Sequence, residues 1–378
     1  MLIRQGTAFV DGAFCRADVR IRNGRIAEVG ELTAEAGETV RDAQGLFVLP
    51  GFVDIHIHAF GGSDCMRGEA DVRRMSDGLV KTGVAAFVPT TMSAFIPETR
   101  QALLGIQAVV DRPQKHGAAV LGAHMEAPFL APSRKGAQLE ACLIPPSVEA
   151  YERMTEGVRC VKMMTLAPEL DGALPLIAEL TRRGVVTCAA HSDAKAAQIH
   201  AAADAGLTQI THLFNAQTPL HHREPGVPGA GLADERILVQ VIADGIHLHP
   251  DVLRIAALCK GAEGMALISD SMEAAGLTDG LYDLGGQAVF VNGGVARLED
   301  GTIAGSTLLL HRAVHNLIKL ARSAPETAVA MATSTPADSV GARDFGRIRP
   351  GAAGVLALMD GDWNFAGAAF EGDTEAAR

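Results

Sequence analysis

Eight apolar runs, most of them followed by an amphipathic stretch, constrain this chain more than any other feature. They are FVDIHIH (52–58), AAFVPTT (85–91), VLGAHME (120–126), VRCVKMMTL (158–166), VVTCAAHS (185–192), QITHLFN (209–215), LVQVIAD (238–244) and MALISDS (265–271). Each has the length and continuity of a strand buried on both faces. Between them, Asp71–Lys81, Pro97–Gln114, Asp171–Arg183, Ala194–Ala205 and Pro250–Lys260 show helical spacing of apolar residues. Eight βα units over roughly 260 residues match a (β/α)8 barrel in count and length. A doubly wound open sheet is the rival, but it would usually carry a glycine-rich phosphate loop after an early strand, and the sequence has none there.

The two ends read differently. LIRQGTAFV, DVRIRNGRIAEVG and LFVLPG are short strand-like runs, and Asn23–Gly24 between two of them is a hairpin signal. The tail GRIRPGAAGVLALMDGDWNFAGAAFEG has the same glycine-punctuated character. The expected fold class is therefore α/β. A TIM-like barrel over residues 51–341 carries a small β-sandwich domain built from both termini, 1–50 and 342–378.

Where the polar residues sit within the runs points to chemistry. His56 and His58 end the first run, Glu126 the third, His191 the fifth and Asp270 the eighth, with His212 near the end of the sixth. Barrel enzymes carry their sites at the C-terminal ends of the strands, so this distribution marks one rim. His56-Ile57-His58 has the period of a strand, which turns both imidazoles to one face. Imidazole and carboxylate ligands without thiolates suit a divalent metal, zinc or iron foremost, with manganese or cobalt as alternatives. Asp270 is a candidate metal ligand with these five and also the candidate acid/base, since a carboxylate beside a divalent cation can move a proton between water and a leaving amine.

The loop THLFNAQTPLHHREPGVPGAG (211–231) follows the sixth run and gathers Asn215, His221, His222 and Arg223 among glycines. Arg223 offers a fork for phosphate oxygens, and the peptides around Asn215–Ala216, with His247 after the seventh run, complete a candidate anion pocket. A net charge of −11 makes such a local positive site necessary for an anionic substrate and gives no support to nucleic-acid binding. No apolar run approaches the ~18 residues of a membrane span. The six cysteines are scattered without a CxxC pair, so a reducing, cytoplasmic setting is expected.

Taken together, PGFVDIHIHAFGG, HMEAPFLAPSRKGA, TLAPE, AAHSDA, THLFNAQTPLHHREPGVPGA, ADGIHLHP, LISDSMEAAG and IAGSTL resemble, in order, the N-acetylglucosamine-6-phosphate deacetylase family of the amidohydrolase superfamily. The resemblance implies hydrolysis of the acetamide of N-acetylglucosamine 6-phosphate. It implies one metal on Glu126, His191 and His212, a second on His56 and His58, and Asp270 as catalytic acid/base. Ala137 and Gln138, Asn215 and Ala216, and Ile303, Ala304 and Gly305 are expected at the sugar-phosphate site. Arg223 and His247 are expected to come from the neighbouring subunit, which implies a homodimer. N-acetylgalactosamine 6-phosphate is the nearest alternative substrate. A cyclic amidase or deaminase is more remote, because those commonly use a carboxylated lysine or a histidine at strand four, and Lys162 lies inside its run. A non-catalytic metal- or sugar-phosphate-binding protein is the alternative outside enzymes. The chain departs from the family pattern at Ala127 and Ala190, where glycine is usual. It departs also at Gln138, where the usual histidine polarises the carbonyl.

Overall fold

The computed structural model describes residues 1–373. The barrel strands are β1 (Phe52–Ile57), β2 (Val84–Thr91), β3 (Ala123–Met125), β4 (Val161–Leu166), β5 (Val186–Ala189), β6 (Gln209–Ile210), β7 (Leu238–Ile242) and β8 (Met265–Ile268). Each pairs in parallel with the next, from β1 through to β8. The ring closes just beyond β8, where Asp270 N donates to His56 O at 2.9 Å and His58 N donates to Ser271 O at 3.1 Å. The seam between the last strand and the first thus lies at the rim that carries the polar residues.

Strands buried on both faces form because their residues alternate between two interiors. In β1, Val53, Ile55 and Ile57 join the core shared with the helices, while His56 and His58 meet Glu126 inside the barrel. The helices bury one stripe each. In Glu69–Leu79 that stripe is Asp71, Val72, Met75, Ser76 and Leu79, and in Leu310–Lys319 it is Leu310, Ala313, Val314 and Leu317. The anticipated helices appear at Glu69–Leu79, Ile96–Asp111, Ala173–Arg182, Ala196–Asp204 and Pro250–Gly264. The last is interrupted at Gly261, whose φ of 60° is not helical.

The chain ends meet in one of two antiparallel-rich sheets. A five-stranded sheet orders Phe365–Phe370, Val355–Met359, Phe47–Pro50, Thr7–Val10 and Ala13–Arg16, so Leu358 pairs with Val48 across most of the sequence. A four-stranded sheet contains the hairpin Asp18–Arg22/Arg25–Gly30, whose turn residues Asn23 and Gly24 have φ of 53° and 70°. Those positive values are what a two-residue hairpin of matching twist requires. Ile3, Val19, Ile21 and Ile26 from one sheet and Val48, Leu356, Leu358 and Ala369 from the other form a core of their own.

One element was not anticipated. Gly280–Leu284, Gln287–Asn292 and Val295–Arg297 form a three-stranded antiparallel sheet between β8 and the helix Leu310–Lys319. Its turns at Gly285–Gly286 and Gly293–Gly294 have positive φ throughout. These glycine pairs, flanking the alternating burial of QAVFVN, were the available signal. The sheet packs Val289 and Val291 against Met92 and Met272, and so stands over the barrel rim.

Candidate metal centre and active-site cavity

His56 and the residue after β1, His58, stand on or beside extended backbone, whereas the other rim residues lie just past strand ends. Glu126 follows β3 by one residue, and His191, His212 and Asp270 follow β5, β6 and β8 by two. All six are buried. His191, His212 and Asp270 have φ of 46°, 32° and 48°, a left-handed conformation that costs a non-glycine residue about 1–3 kcal/mol. Surrounding contacts hold them there. Ala131 N donates to His191 O at 2.9 Å, Ser192 N to Ala216 O at 3.2 Å, and Ser306 N to Asp270 O at 2.8 Å. Gly305 is the residue that permits the last contact. A Cβ there would stand 3.1 Å from Asp270 O, and its φ is 60°.

Four imidazole Nε2 atoms converge on Glu126. Oε1 lies 3.0 Å from His212, 3.3 Å from His191 and 3.5 Å from His56, while Oε2 lies 3.4 Å from His58. Asp270 Oδ1 approaches His58 Nε2 to 3.1 Å and His56 Nε2 to 3.4 Å. Two of the rings have their tautomer set from outside. His58 Nδ1 donates to Thr90 O at 2.9 Å and His191 Nδ1 to Arg134 O at 2.8 Å, and a carbonyl can only accept. When these rings are neutral their Nε2 atoms present lone pairs toward Glu126, and His191 Nε2 stands 3.1 Å from His212 Nε2. Lone pairs gathered around one carboxylate are complementary to a dication, and without one they are satisfied by protons. The ligand atoms of His56, His58 and Glu126 lie within 4.8 Å of one another, as do those of Glu126, His191 and His212. The donor set fits a metal ion in either group.

Without an ion, protons take its place among the carboxylates. Burial pushes the Glu126 and Asp270 carboxyls up, but the neighbouring imidazoles outweigh it and hold both well below the usual carboxylate range. Burial lowers His58, yet Asp270 and Glu126 raise it to about 9. His191 is raised for the same reason, against its burial, whereas in His212 burial wins and the adjacent His191 adds to the lowering.

A cavity of about 390 Å³ opens on this centre, within the range of small-molecule sites. His58, Glu126, His191, His212 and Asp270 line it. Of the expected substrate residues, Ala137, Gln138, Asn215, Ala216, Ile303 and Gly305 line it as well. Ala304 instead packs into the satellite core beneath the three-stranded sheet. The Asn215 amide donates to the carbonyls of His212 and Leu213, so that side chain braces its own loop. Arg223 is exposed, lies beside His222 at 2.8 Å and is not part of its own chain's cavity. His247 requires a correction. It was expected to reach a neighbouring subunit, but it lines the cavity of its own chain, because Asp244 Oδ2 anchors its Nδ1 at 2.6 Å. Burial lowers that imidazole, but the Asp244 carboxylate outweighs it and raises it above its ordinary value.

Sequence reasoning missed three residues. Arg134 lines the cavity, is paired with Asp193, and supplies the carbonyl that orients His191. Asp244 has no local signature. His124 was legible, since His124 and Glu126 share the period of a strand. Its Nε2 lies 2.8 Å from Thr165 Oγ1, and burial keeps it far below the usual imidazole range. Lys162 stands at the start of β4 and is not among the cavity residues.

A family model described as the amidohydrolase family matches residues 47–377. The chain belongs to the amidohydrolase family. It is 40% identical over 274 residues, 71% of this chain and 69% of the relative, to N-acetylglucosamine-6-phosphate deacetylase of Bacillus subtilis (strain 168). It is 36% identical over 355 residues, 91% of this chain and 90% of the relative, to N-acetylgalactosamine-6-phosphate deacetylase of Escherichia coli O157:H7. Among solved structures, an aspartate-to-alanine mutant of the Mycobacterium smegmatis N-acetyl-D-glucosamine-6-phosphate deacetylase, in complex with N-acetyl-D-glucosamine-6-phosphate, matches with a TM-score of 0.90. Its identity is 31%, with 98% of this chain and 97% of that one covered. The Thermotoga maritima enzyme of the same name matches with a TM-score of 0.87 at 33% identity, covering 98% of each chain. This amidohydrolase therefore has the family's barrel and carries His/Glu groups suited to a metal ion. Among the described residues, no helix is long and apolar enough to cross a membrane.

Proposed function

We propose that this amidohydrolase removes the acetyl group of N-acetylglucosamine 6-phosphate, releasing glucosamine 6-phosphate and acetate. One observation carries the reading: Asp270 and the Glu126–His191–His212 group line one cavity, and His58 Nε2 stands within 3.4 Å of both carboxylates. Relatives named for this reaction, and a relative's complex with this sugar phosphate, support the substrate. Glu126, His191 and His212 would hold the main ion, and His56 and His58 a second one. Nitrogen and oxygen donors without thiolate favour zinc or iron, with manganese or cobalt also accommodated. When bound, the ion supplies Lewis acidity that activates water and stabilises the developing oxyanion. Asp270, kept ionised by the imidazoles beside it, takes the proton from attacking water and delivers it to the leaving amine. His247 and Arg134 give the cavity the local positive charge that a phosphate needs in a chain of net charge −11. Ile303 and Gly305 bound the sugar.

Arg223, exposed on its own chain, serves the cavity of a second copy in a homodimer. Residues 1–50 and 342–373 form the small β-domain beside the barrel of 51–341, and residues 374–378 of the expected span lie outside the described residues. The six free cysteines accord with a cytoplasmic setting.

The E. coli relative favours a second reading, the C4 epimer N-acetylgalactosamine 6-phosphate, since it aligns over more of the chain than the B. subtilis one. Acetate release measured on both 6-phosphates, with elemental analysis of the purified protein, separates the two. No acetate from either substrate would remove the proposal. In the same assay Arg223→Ala raises KM for the phosphorylated sugar far more than for its unphosphorylated analogue; equal effects on both would exclude a phosphate contact.

A further inference from the structure

Gln138 stands where the resemblance places a carbonyl-polarising histidine at the sugar site, but both ends of its amide face protein groups. Its Oε1 accepts from the backbone N–H of Ser93 at 2.8 Å. Because that N–H can only donate, the amide orientation is fixed and its NH2 faces the centre. Nε2 donates to Glu126 Oε2 at 2.7 Å and stands 3.7 Å from Met92 Sδ. The loop itself is pinned, since Leu139 N donates to Ser93 Oγ at 2.6 Å. Gln138 is buried beside the carboxylate that both ligand groups share.

We propose that Gln138 is a positioning residue for Glu126: by clamping Oε2, it aims Oε1 at His191 and His212 and biases metal binding toward that group over His56/His58. The inference rests on the metal-site reading given above. A carboxylate attached through a single side chain rotates about its last bond, and rotation would exchange the two oxygens between the groups. The Gln138 N–H removes that freedom and draws electron density from Oε2, the oxygen nearer His58. The oxygen beside His58 is thereby the weaker ligand, while Oε1, 3.0 Å from His212 and 3.3 Å from His191 but 3.5 Å from His56, stays fully available. Hydrogen bonds behind metal ligands are typically worth roughly 10- to 100-fold in affinity.

The test uses the full chain stripped of metal by chelation and titrated with Zn²⁺ by calorimetry, and with Co²⁺ by visible absorption. Gln138→Met keeps the bulk and removes the amide. It is expected to weaken the first Zn²⁺ by roughly 10- to 100-fold, narrow its margin over any second ion, and alter the Co²⁺ ligand-field bands. Gln138→Asn retains an amide too short to span Ser93 and Glu126, is expected to shift affinity in the same direction, and decides the matter should Gln138→Met not fold. A role in packing alone predicts a lower melting temperature for the ion-free variants with unchanged Zn²⁺ affinity and Co²⁺ bands, and that outcome overturns the inference. Wild-type protein that binds no ion would overturn the metal site itself, and this inference with it; wild type that binds while both variants match it overturns this inference alone.

Discussion

His56 and His58 come to the metal centre on a strand and the position just past it, with side chains turned inward by the pleat alone. His191 and His212 come from loops, each in a left-handed backbone conformation that β5 and β6 do not supply. His191 is held by many partners: Arg134 O on its ring, Ala131 N on its carbonyl, and Glu169 on the next two residues, through Ser192 Oγ at 2.7 Å and Asp193 N at 2.6 Å. The β1 pair is held chiefly through its own strand backbone, with Asp270 N on His56 O, Ser271 O on His58 N and Cys65 N on His58 O, and with the Thr90 carbonyl behind the His58 ring. The same residue type thus reaches the same carboxylate by two routes. One is written in local periodicity, and the other is maintained by contacts between distant loops. The loop-borne pair, which the protein goes to greater structural lengths to place, is the pair proposed to hold the main ion.

The strongest challenge to that contrast is removal of a ring from each pair. His191→Ala or His212→Ala is expected to empty the main site and reduce kcat/KM by three orders of magnitude or more (~10³). His58→Ala is expected to cost much less. Acetate-release kinetics with metal analysis checks this, and full activity in a metal-free His191→Ala sample would end the mechanism. Asp270→Asn comes next. It keeps the shape but loses the base, so kcat should fall by about 10²–10⁴ while the Glu126–His191–His212 group still binds its ion. A kcat within a few-fold of wild type would remove Asp270 from the proton transfer.

A smaller effect isolates the scaffold. Glu169→Gln leaves every ligand in place but weakens the hold on Ser192 and Asp193, and is expected to lower Zn²⁺ affinity by roughly tenfold. If affinity is unmoved, the loop does not depend on that brace.

The smallest effect is a pH signature of the ion-free protein. His58 is raised to about 9 when folded, so its contribution to stability is fully present below about 6.5, the unfolded imidazole value, and is lost as pH rises toward 9. His212 is lowered, so its contribution is present above that unfolded value and is lost as pH falls. Urea unfolding of chelated protein across this range should therefore show His58→Gln flattening the alkaline limb and His212→Gln the acid limb. The reverse assignment would contradict the electrostatic difference between the two pairs.

Much of this molecule is legible in residue order, because some constraints are local. The alternation of β1 turns His56 and His58 to one face whatever else the chain does. The apolar runs begin close to the observed strands but outrun their ends, as in 209–215 against Gln209–Ile210, and Asn23–Gly24 makes the hairpin that its positive φ values require. The three-stranded sheet had its signal in two glycine pairs. Other features had none. Nothing near His247 indicated which cavity it would face, because that depends on the Asp244 carboxylate and on the turn after β7. Gln138 read as a substrate ligand until the Ser93 N–H, 45 residues away, fixed which end of its amide meets Glu126.

The sequence by itself determined the strands, most of the helices, and which residues stand at strand ends, since side-chain periodicity and turn chemistry act over a few residues. Only the tertiary structure decided that His56 O and Asp270 N close the ring, that Glu126 becomes common to two imidazole pairs, and that the chain ends share a sheet. The physical reason is the same in each case. Hydrogen bonds and lone pairs are directional over about 3 Å, so their partners are chosen by how distant segments are finally brought together.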